Sequence, residues 1–222
     1  AWIDSHGIDS KGRDCIASMG IYVFNRDLLR DVLMNSDHAD FGKEVFPETI
    51  KTHLVQMHLF DGYWEDIGTT KAFYRANLEL ALHEPPFDLS LPEAPIYSRA
   101  RFLPPAQLQG GSVTQSIIAD GCKIGKGATI ENSVIGIRCI IGDDVTIRNS
   151  VVMGADSFET AEDIEGLPDG VPPVGIGSGT IIDGAILDKN CRVGRDARIV
   201  SGGDDRDVGE HCVVGDRRRA CD

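Results

Sequence analysis

None of the six cysteines stands in a C-x-x-C pair, and no Cys/His set has the spacing of a zinc site. Cys15, Cys122, Cys139, Cys191, Cys212 and Cys221 read as free, mostly buried thiols in a reducing cytoplasm, the expected location. No apolar run is long enough to span a bilayer, and no secretory signal is visible. A basic excess is also missing. The formal net charge of −13 argues against a nucleic-acid partner, because phosphate binding needs a concentrated basic surface. It leaves room for a small anion held by a local basic cluster. Ala1-Trp2-Ile3 lacks a start methionine, and a fragment is expected.

What is present is a chain of 222 residues, 41% hydrophobic and 26% charged, values ordinary for a globular protein with a sizeable core. The first 84 residues read as mixed α/β. Residues 16–24 (IASMGIYVF) and 54–60 (LVQMHLF) are rich in strand formers, and both are expected as strands. A helix is expected from Asn25-Arg26-Asp27 to about Met34, with Asn25 or Asp27 as cap. A short helix or turn is expected around Pro47, and an amphipathic helix over 69–83. Residues 85–112 carry Pro85, Pro86, Pro92, Pro95, Pro104 and Pro105, which exclude a regular helix or central strand and mark a linker.

From about Val113 a six-residue period takes over and runs to residue 215. Ile118, Ile124 and Ile130 are spaced by six. Ile135, Ile141 and Ile147 follow after one five-residue step, then Ile176 and Ile182, then Leu187, Val193 and Ile199. Glycine directly follows the aliphatic residue at Ile124, Ile135, Ile141, Ile176 and Val193. This period fits neither an α-helix nor an alternating strand. It fits a hexapeptide-repeat parallel β-helix, in which three short strands close one triangular coil and the aliphatic residue points inward. The acidic stretch 156–174 interrupts the repeat and reads as a loop leaving the coil, with a short helix around 159–164.

Several segments together resemble the ADP-glucose pyrophosphorylases, or glucose-1-phosphate adenylyltransferases. They are residues 16–24, Asp40-Phe41-Gly42-Lys43-Glu44, Gly62-Tyr63-Trp64-Glu65-Asp66-Ile67-Gly68-Thr69 and Arg101-Phe102-Leu103-Pro104-Pro105. Ser133-Val134-Ile135-Gly136-Ile137-Arg138, Met153-Gly154-Ala155-Asp156 and Ile186-Leu187-Asp188-Lys189-Asn190 complete the set. The resemblance runs from about Trp2 to about Asp207. It implies a truncated Rossmann-like nucleotidyltransferase domain joined to a left-handed parallel β-helix. The implied enzyme makes ADP-glucose and pyrophosphate from ATP and glucose 1-phosphate for glycogen or starch synthesis, with Mg²⁺. It is also implied to be a cytoplasmic homotetramer under allosteric control by an anionic sugar-phosphate effector.

The resemblance carries roles to single residues. Ser18 matches a contact to glucose 1-phosphate; the plainer reading is a small residue in a tight strand. Asp66 matches a metal-binding aspartate with a catalytic role, and a hard carboxylate suits Mg²⁺; the plainer reading is a helix cap. Glu65 and Trp64 are expected to shape the sugar pocket, with ordinary packing as the alternative for Trp64. Lys189 matches a basic position for anionic effectors. Arg101 and Arg138 are expected to add to it, and Arg192, Arg195 and Arg198 follow at three-residue steps, so a cluster is expected. Solvated surface charge is the alternative.

Two departures qualify the resemblance. The Gly-rich ATP-phosphate loop and the glutamate-lysine-proline sugar-phosphate motif are not among these residues, so the isolated chain is expected to be inactive. After Gly209 the sequence reads Asp216-Arg217-Arg218-Arg219-Ala220-Cys221-Asp222, where apolar coil residues are expected, which suggests a truncated or frameshifted end. Two other functions are open: a non-catalytic regulatory subunit, and a hexapeptide-repeat acyltransferase. The latter places a catalytic histidine on its β-helix, whereas His211 is the only histidine here beyond the linker.

Overall fold

A computed structural model of the chain describes Asp9, residues 16–201 and the backbone of Val213 and Val214. Cys15, Cys212, Cys221, His211 and the basic tail lie outside the described residues. The chain divides between Trp64 and Glu65 into two compact units.

In the first unit, Asn25 caps helix α1 (Arg26–Met34), its side chain accepting from the amides of Asp27 at 3.0 Å and Leu28 at 3.4 Å. A π-helical turn over Phe41–Val45 runs into α2 (Phe46–Thr52), whose Pro47 stands in the first turn, where no amide partner is needed. Val45 and Thr49 are buried, and the Tyr22 ring lies 5.4 Å from that of Phe46 and 6.3 Å from that of Phe41. The two strands expected in this unit do not form. Residues 21–24 do alternate, with Tyr22 and Phe24 in the aromatic cluster while Ile21 and Val23 are 74% and 98% exposed. No described segment of the unit pairs with them, and a strand exists only where a neighbour takes its backbone bonds.

The second unit opens with α3 (Thr70–Glu79), capped by Thr69, and then winds into a solenoid of three parallel sheets. The first sheet stacks β1 (Gln107–Leu108), β4 (Lys123–Ile124), β7 (Ile140–Ile141), β10 (Gly175–Ile176), β13 (Arg192–Val193) and β15 (Val213–Val214). The second stacks β2 (Gly111–Thr114), β5 (Ala128–Glu131), β8 (Thr146–Arg148), β11 (Ile181–Asp183) and β14 (Arg198–Val200). The third stacks β3 (Ile117–Ile118), β6 (Val134–Ile135), β9 (Val151–Val152) and β12 (Ile186–Leu187). Strand pairing thus begins at Gln107, within the stretch expected as linker. It resumes at Val213–Val214, which pair with Arg192–Val193, so the departure from the coil expected after Gly209 is not total.

The repeat explains the register. The Ser150 amide bonds to Ser133 Oγ, seventeen positions back, and the Ser133 amide does the same to Ser116 Oγ. Two sides of six residues and one of five make up that count, and the five-residue step is the short side. Each aliphatic position stacks on its counterpart: Ile130 pairs with Ile147, Ile124 with Ile141, and Ile135 with Val152. Ile130, Ile135, Ile147 and Ile182 are fully buried, each contributing about 1.5–3 kcal/mol of apolar transfer. Corners need left-handed backbone, and outside glycine this chain fills them mainly with Asn and Asp: Asn132, Asn149, Asp144, Asn190 and Asp196 all have positive φ. The side chains of Gln115, Asn132, Asn149 and Asp183 bond in sequence along one such corner.

The loop at 156–174 leaves the stack and returns without disturbing it, since Ile176 pairs with Ile141. Its short helix α4 (Ala161–Glu165) carries a capping box between Thr160 and Asp163. The third sheet is covered from outside by α3, which packs on β9; Val151, on the outer face, is therefore only 3% exposed.

Candidate functional site

Two sets of residues follow from the sequence: the turn at 62–69 with Ser18, and the basic residues of the solenoid. In the first unit Ser18 is exposed, its Oγ 3.0 Å from Tyr22 Oη and accepting from the Gly20 amide at 3.2 Å. It sits on a turn rather than at a strand end, so a tight strand position does not explain it. Trp64 is 42% exposed, so its indole is not consumed by a core.

In the second unit Glu65 is half-buried, and its Oε1 accepts from Arg75 Nη2 at 2.7 Å. Arg75 Nε lies 3.3 Å from Glu79 Oε1, so one guanidinium on α3 spans two carboxylates. Asp66 is exposed, and its Oδ1 accepts from the Gly68 amide at 2.8 Å. The capping role weighed for Asp66 belongs to Thr69, whose Oγ1 accepts from the Ala72 amide at 3.1 Å. The Asp66 carboxylate is thus presented on a turn of its own. Such a group suits Mg²⁺, which takes one or two carboxylates and fills its sphere with water and substrate phosphates. No group of three or more His, Cys, Asp or Glu among the described residues forms a protein-only cage. An open groove of about 510 Å³ runs along α3, lined by Glu65, Lys71, Tyr74, Arg75 and Glu79 and reaching Asn132.

The solenoid brings two of its three expected effector residues together. Lys189 Nζ lies 3.0 Å from Asp156 Oδ1, and Arg138 Nη1 donates to the carbonyl of Ala155 at 3.2 Å. Asn190 clamps the same aspartate, donating to Oδ2 at 2.8 Å and accepting from the Asp156 amide at 2.9 Å. The Asn190 amide and then the Lys189 ammonium hold the Asp156 carboxyl below the ordinary carboxylate range. Arg101 lies on the exposed approach to β1, its guanidinium 3.5 Å from the Arg99 carbonyl, outside this hydrogen-bond set.

The expected cluster of Arg192, Arg195 and Arg198 does not form. Arg192 leaves β13 to pair with Glu159 and to donate to the Pro172 carbonyl at 2.9 Å. Arg195 is in the following turn, and Arg198 is on β14 in the second sheet. Three-residue steps along a three-sided prism deal side chains to successive parts of the perimeter, not to one patch. Sequence reasoning missed Asp156, Glu159, Tyr74, Arg75 and Asn190 as partners. Asp156 and Glu159 sit on the loop, where the repeat gives no register to read. The thiols of Cys122 and Cys139 are buried one above the other, and Cys122 and burial together push the Cys139 thiol well up.

Residues 101–217, more than half of the chain, match the family model of the GLGC left-handed parallel β-helix domain. The chain belongs to that family. Residues 10–82 match the nucleotidyl transferase model. The β-helix family fixes the left hand of the winding seen in the three sheets, and its match spans the corner that carries Arg138, Asp156 and Lys189. The transferase match spans Ser18 and the turn at Trp64, Glu65 and Asp66. A nucleotidyl transferase domain joined to a GLGC β-helix supports a sugar-phosphate nucleotidyltransferase, an ADP-glucose pyrophosphorylase type of chain. No helix among the described residues is long and apolar enough to cross a membrane.

Proposed function

We propose that the chain serves glucose-1-phosphate adenylyltransfer: ATP and glucose 1-phosphate give ADP-glucose and pyrophosphate, for glycogen or starch synthesis. The observation that carries this reading is the pairing, in one chain, of nucleotidyl transferase sequence with the GLGC β-helix. A phosphate oxygen of the sugar phosphate forms a bond to the α-phosphorus of ATP. The bond from that phosphorus to the bridging oxygen breaks, and pyrophosphate leaves with the electron pair. There is little covalent work for the protein, so its contribution is placement and charge neutralisation.

Ser18 offers a hydroxyl that donates or accepts toward the sugar phosphate. Trp64 and Glu65 bound the sugar, the first with an exposed apolar face and the second with a fixed carboxylate. Asp66 would hold Mg²⁺, which when bound neutralises charge on the phosphates. Lys189 and Arg138 form the site for an anionic sugar-phosphate effector, with Arg101, on the approach to β1, as a further contributor. The assembly is a cytoplasmic homotetramer.

The test is pyrophosphate release from glucose 1-phosphate by the whole gene product carrying these residues, with ATP and with UTP. Release with ATP and not UTP supports the reading; release with UTP alone, or with neither, overturns it. The 222 residues by themselves, which contain no Gly-rich phosphate loop, are expected to release none.

A further inference from the structure

Helix α3 carries two consecutive side chains that bond in different directions. Tyr74 donates its hydroxyl to the main-chain carbonyl of Asn149, at a corner of the solenoid. Arg75 donates to Glu65, on the turn that precedes the helix. The two contacts are unlike in kind. The Tyr74 ring is half-buried, and burial followed by the Asp183 carboxylate raises its phenol, so it remains a donor at neutral pH. Arg75 is an exposed guanidinium that would be free to swing, except that Glu65 at 2.7 Å and Glu79 at 3.3 Å hold its fork from two sides.

Asn149 is itself fixed. It takes a left-handed conformation, its amide donates to Asp183 at 2.9 Å, and it accepts from Asn132 at 2.8 Å. The helix between these contacts lies on β9, so it cannot rotate about its axis without uncovering Val151.

We propose that α3 is a strut through which the solenoid positions the Glu65 carboxylate, with Tyr74 as the anchor and Arg75 as the positioning residue. The proposal rests on the reading of Glu65 as a sugar-binding group. Arg75 touches no reacting atom; it acts by removing rotamer freedom from Glu65. Its loss therefore weakens sugar-phosphate binding before it slows chemistry. Tyr74 acts one step further away, by fixing the rotation of the helix that carries Arg75.

The experiment is steady-state kinetics of the whole gene product with glucose 1-phosphate varied, on Glu65→Gln, Arg75→Met, Arg75→Lys, Tyr74→Phe and the Tyr74→Phe/Arg75→Met double variant. Arg75→Met is expected to raise KM for glucose 1-phosphate about tenfold, the size of one charge-assisted hydrogen bond, with kcat changed less than about twofold. Arg75→Lys recovers most of the loss. Tyr74→Phe keeps the ring and raises KM about threefold, and the double variant raises it by less than the product of the two, because both act through one element.

A merely structural role gives a lower active fraction, seen as a fall in kcat with KM unmoved, and Lys would not rescue it. If Glu65→Gln raises KM but Arg75→Met does not, the strut is wrong while the sugar-binding reading stands. If Glu65→Gln leaves KM unchanged, the reading of Glu65 fails and the strut falls with it.

Discussion

Lys189 reaches back from the turn after β12 to the Asp156 carboxylate, Nζ to Oδ1 at 3.0 Å, so the loop's first acidic residue occupies the ammonium assigned to an effector. Both side chains are at least half exposed, and such pairs are worth about 1 kcal/mol or less. An incoming phosphate bears more charge than Asp156 and can displace it. Asp156→Asn is expected to tighten binding of a sugar phosphate, or of inorganic phosphate as a probe, by about threefold to fivefold in calorimetric titration. Adding Lys189→Gln to that variant removes the gain. An unchanged affinity in Asp156→Asn would mean that the anion does not use Lys189.

The same contact has a pH signature. The folded Asp156 carboxyl is depressed below its unfolded value of about 3.9. A depressed acid contributes its stabilisation above the unfolded value and loses it as pH falls through the folded one. The corner is therefore expected to stay closed down to about pH 4 and to open only below it. Side-chain carbonyl NMR should place the Asp156 midpoint under the ordinary range, and Asn190→Ala should shift it upward more than Lys189→Gln. Equal midpoints in all three proteins would count against the contact.

Core and surface isoleucines of the solenoid should separate cleanly. Ile130 and Ile147 are fully buried and stacked, so Ile130→Ala or Ile147→Ala is expected to cost about 2–5 kcal/mol in denaturant unfolding. Ile140, adjacent in sequence to the buried Ile141, is 37% exposed, and Ile140→Ala should cost under about 1 kcal/mol. Similar losses at all three positions would contradict the inward-outward alternation.

That alternation was the most legible part of the chain. Inward positions could be named because an aliphatic residue at every sixth place fits a three-sided coil, whereas the length of that coil, seventeen residues, is set by the register of Ser116, Ser133 and Ser150. The strands at 16–24 and 54–60 were not legible in the same way. Their composition is that of strands, but composition records what a segment would do beside a partner, and none is described here. At the site, single residues could be named from their motifs, whereas their partners could not. Arg75 reaches Glu65 across ten positions, and Lys189 reaches Asp156 across thirty-three. Neither separation follows a helical or hexapeptide period. The three arginines after Lys189 failed for the opposite reason: a regular spacing on a prism separates what it would gather on an α-helix.

Gly154 is the corner residue least able to change. Its φ is +91°, and a Cβ there would lie 2.1 Å from the Ile137 carbonyl oxygen, a main-chain atom that cannot turn aside. Gly154→Ala is expected to cost about 2–4 kcal/mol and to loosen the Arg138–Ala155 contact beside it. Thermal unfolding checks the first part, and hydrogen exchange at Ala155 the second; a midpoint within a degree of wild type would refute the geometry.

The loop at 156–174 is fastened at its far end by Glu159, which pairs with Arg192 and accepts from the Val174 amide at 2.7 Å. This pair is mostly shielded from water, so removing one partner strands the other charge and costs more than at the Lys189 pair. Glu159→Gln is expected to cost about 1–3 kcal/mol of local stability. The measurement is amide exchange: protection should fall over 157–174 and persist at Ile141 and Ile176. Loss of protection in both places would show that the loop is part of the stack and not an attachment to it.

Ile176 pairs with Ile141 as though the eighteen or so residues added between them were absent. A solenoid's lattice is indifferent to contour length, provided the chain departs and rejoins at the same vertex. Evolution can therefore write new recognition chemistry into such an excursion while the scaffold beneath it is inherited unchanged. Here the excursion has brought acidic groups of its own against Lys189 and Arg192, two basic side chains of the prism it leaves.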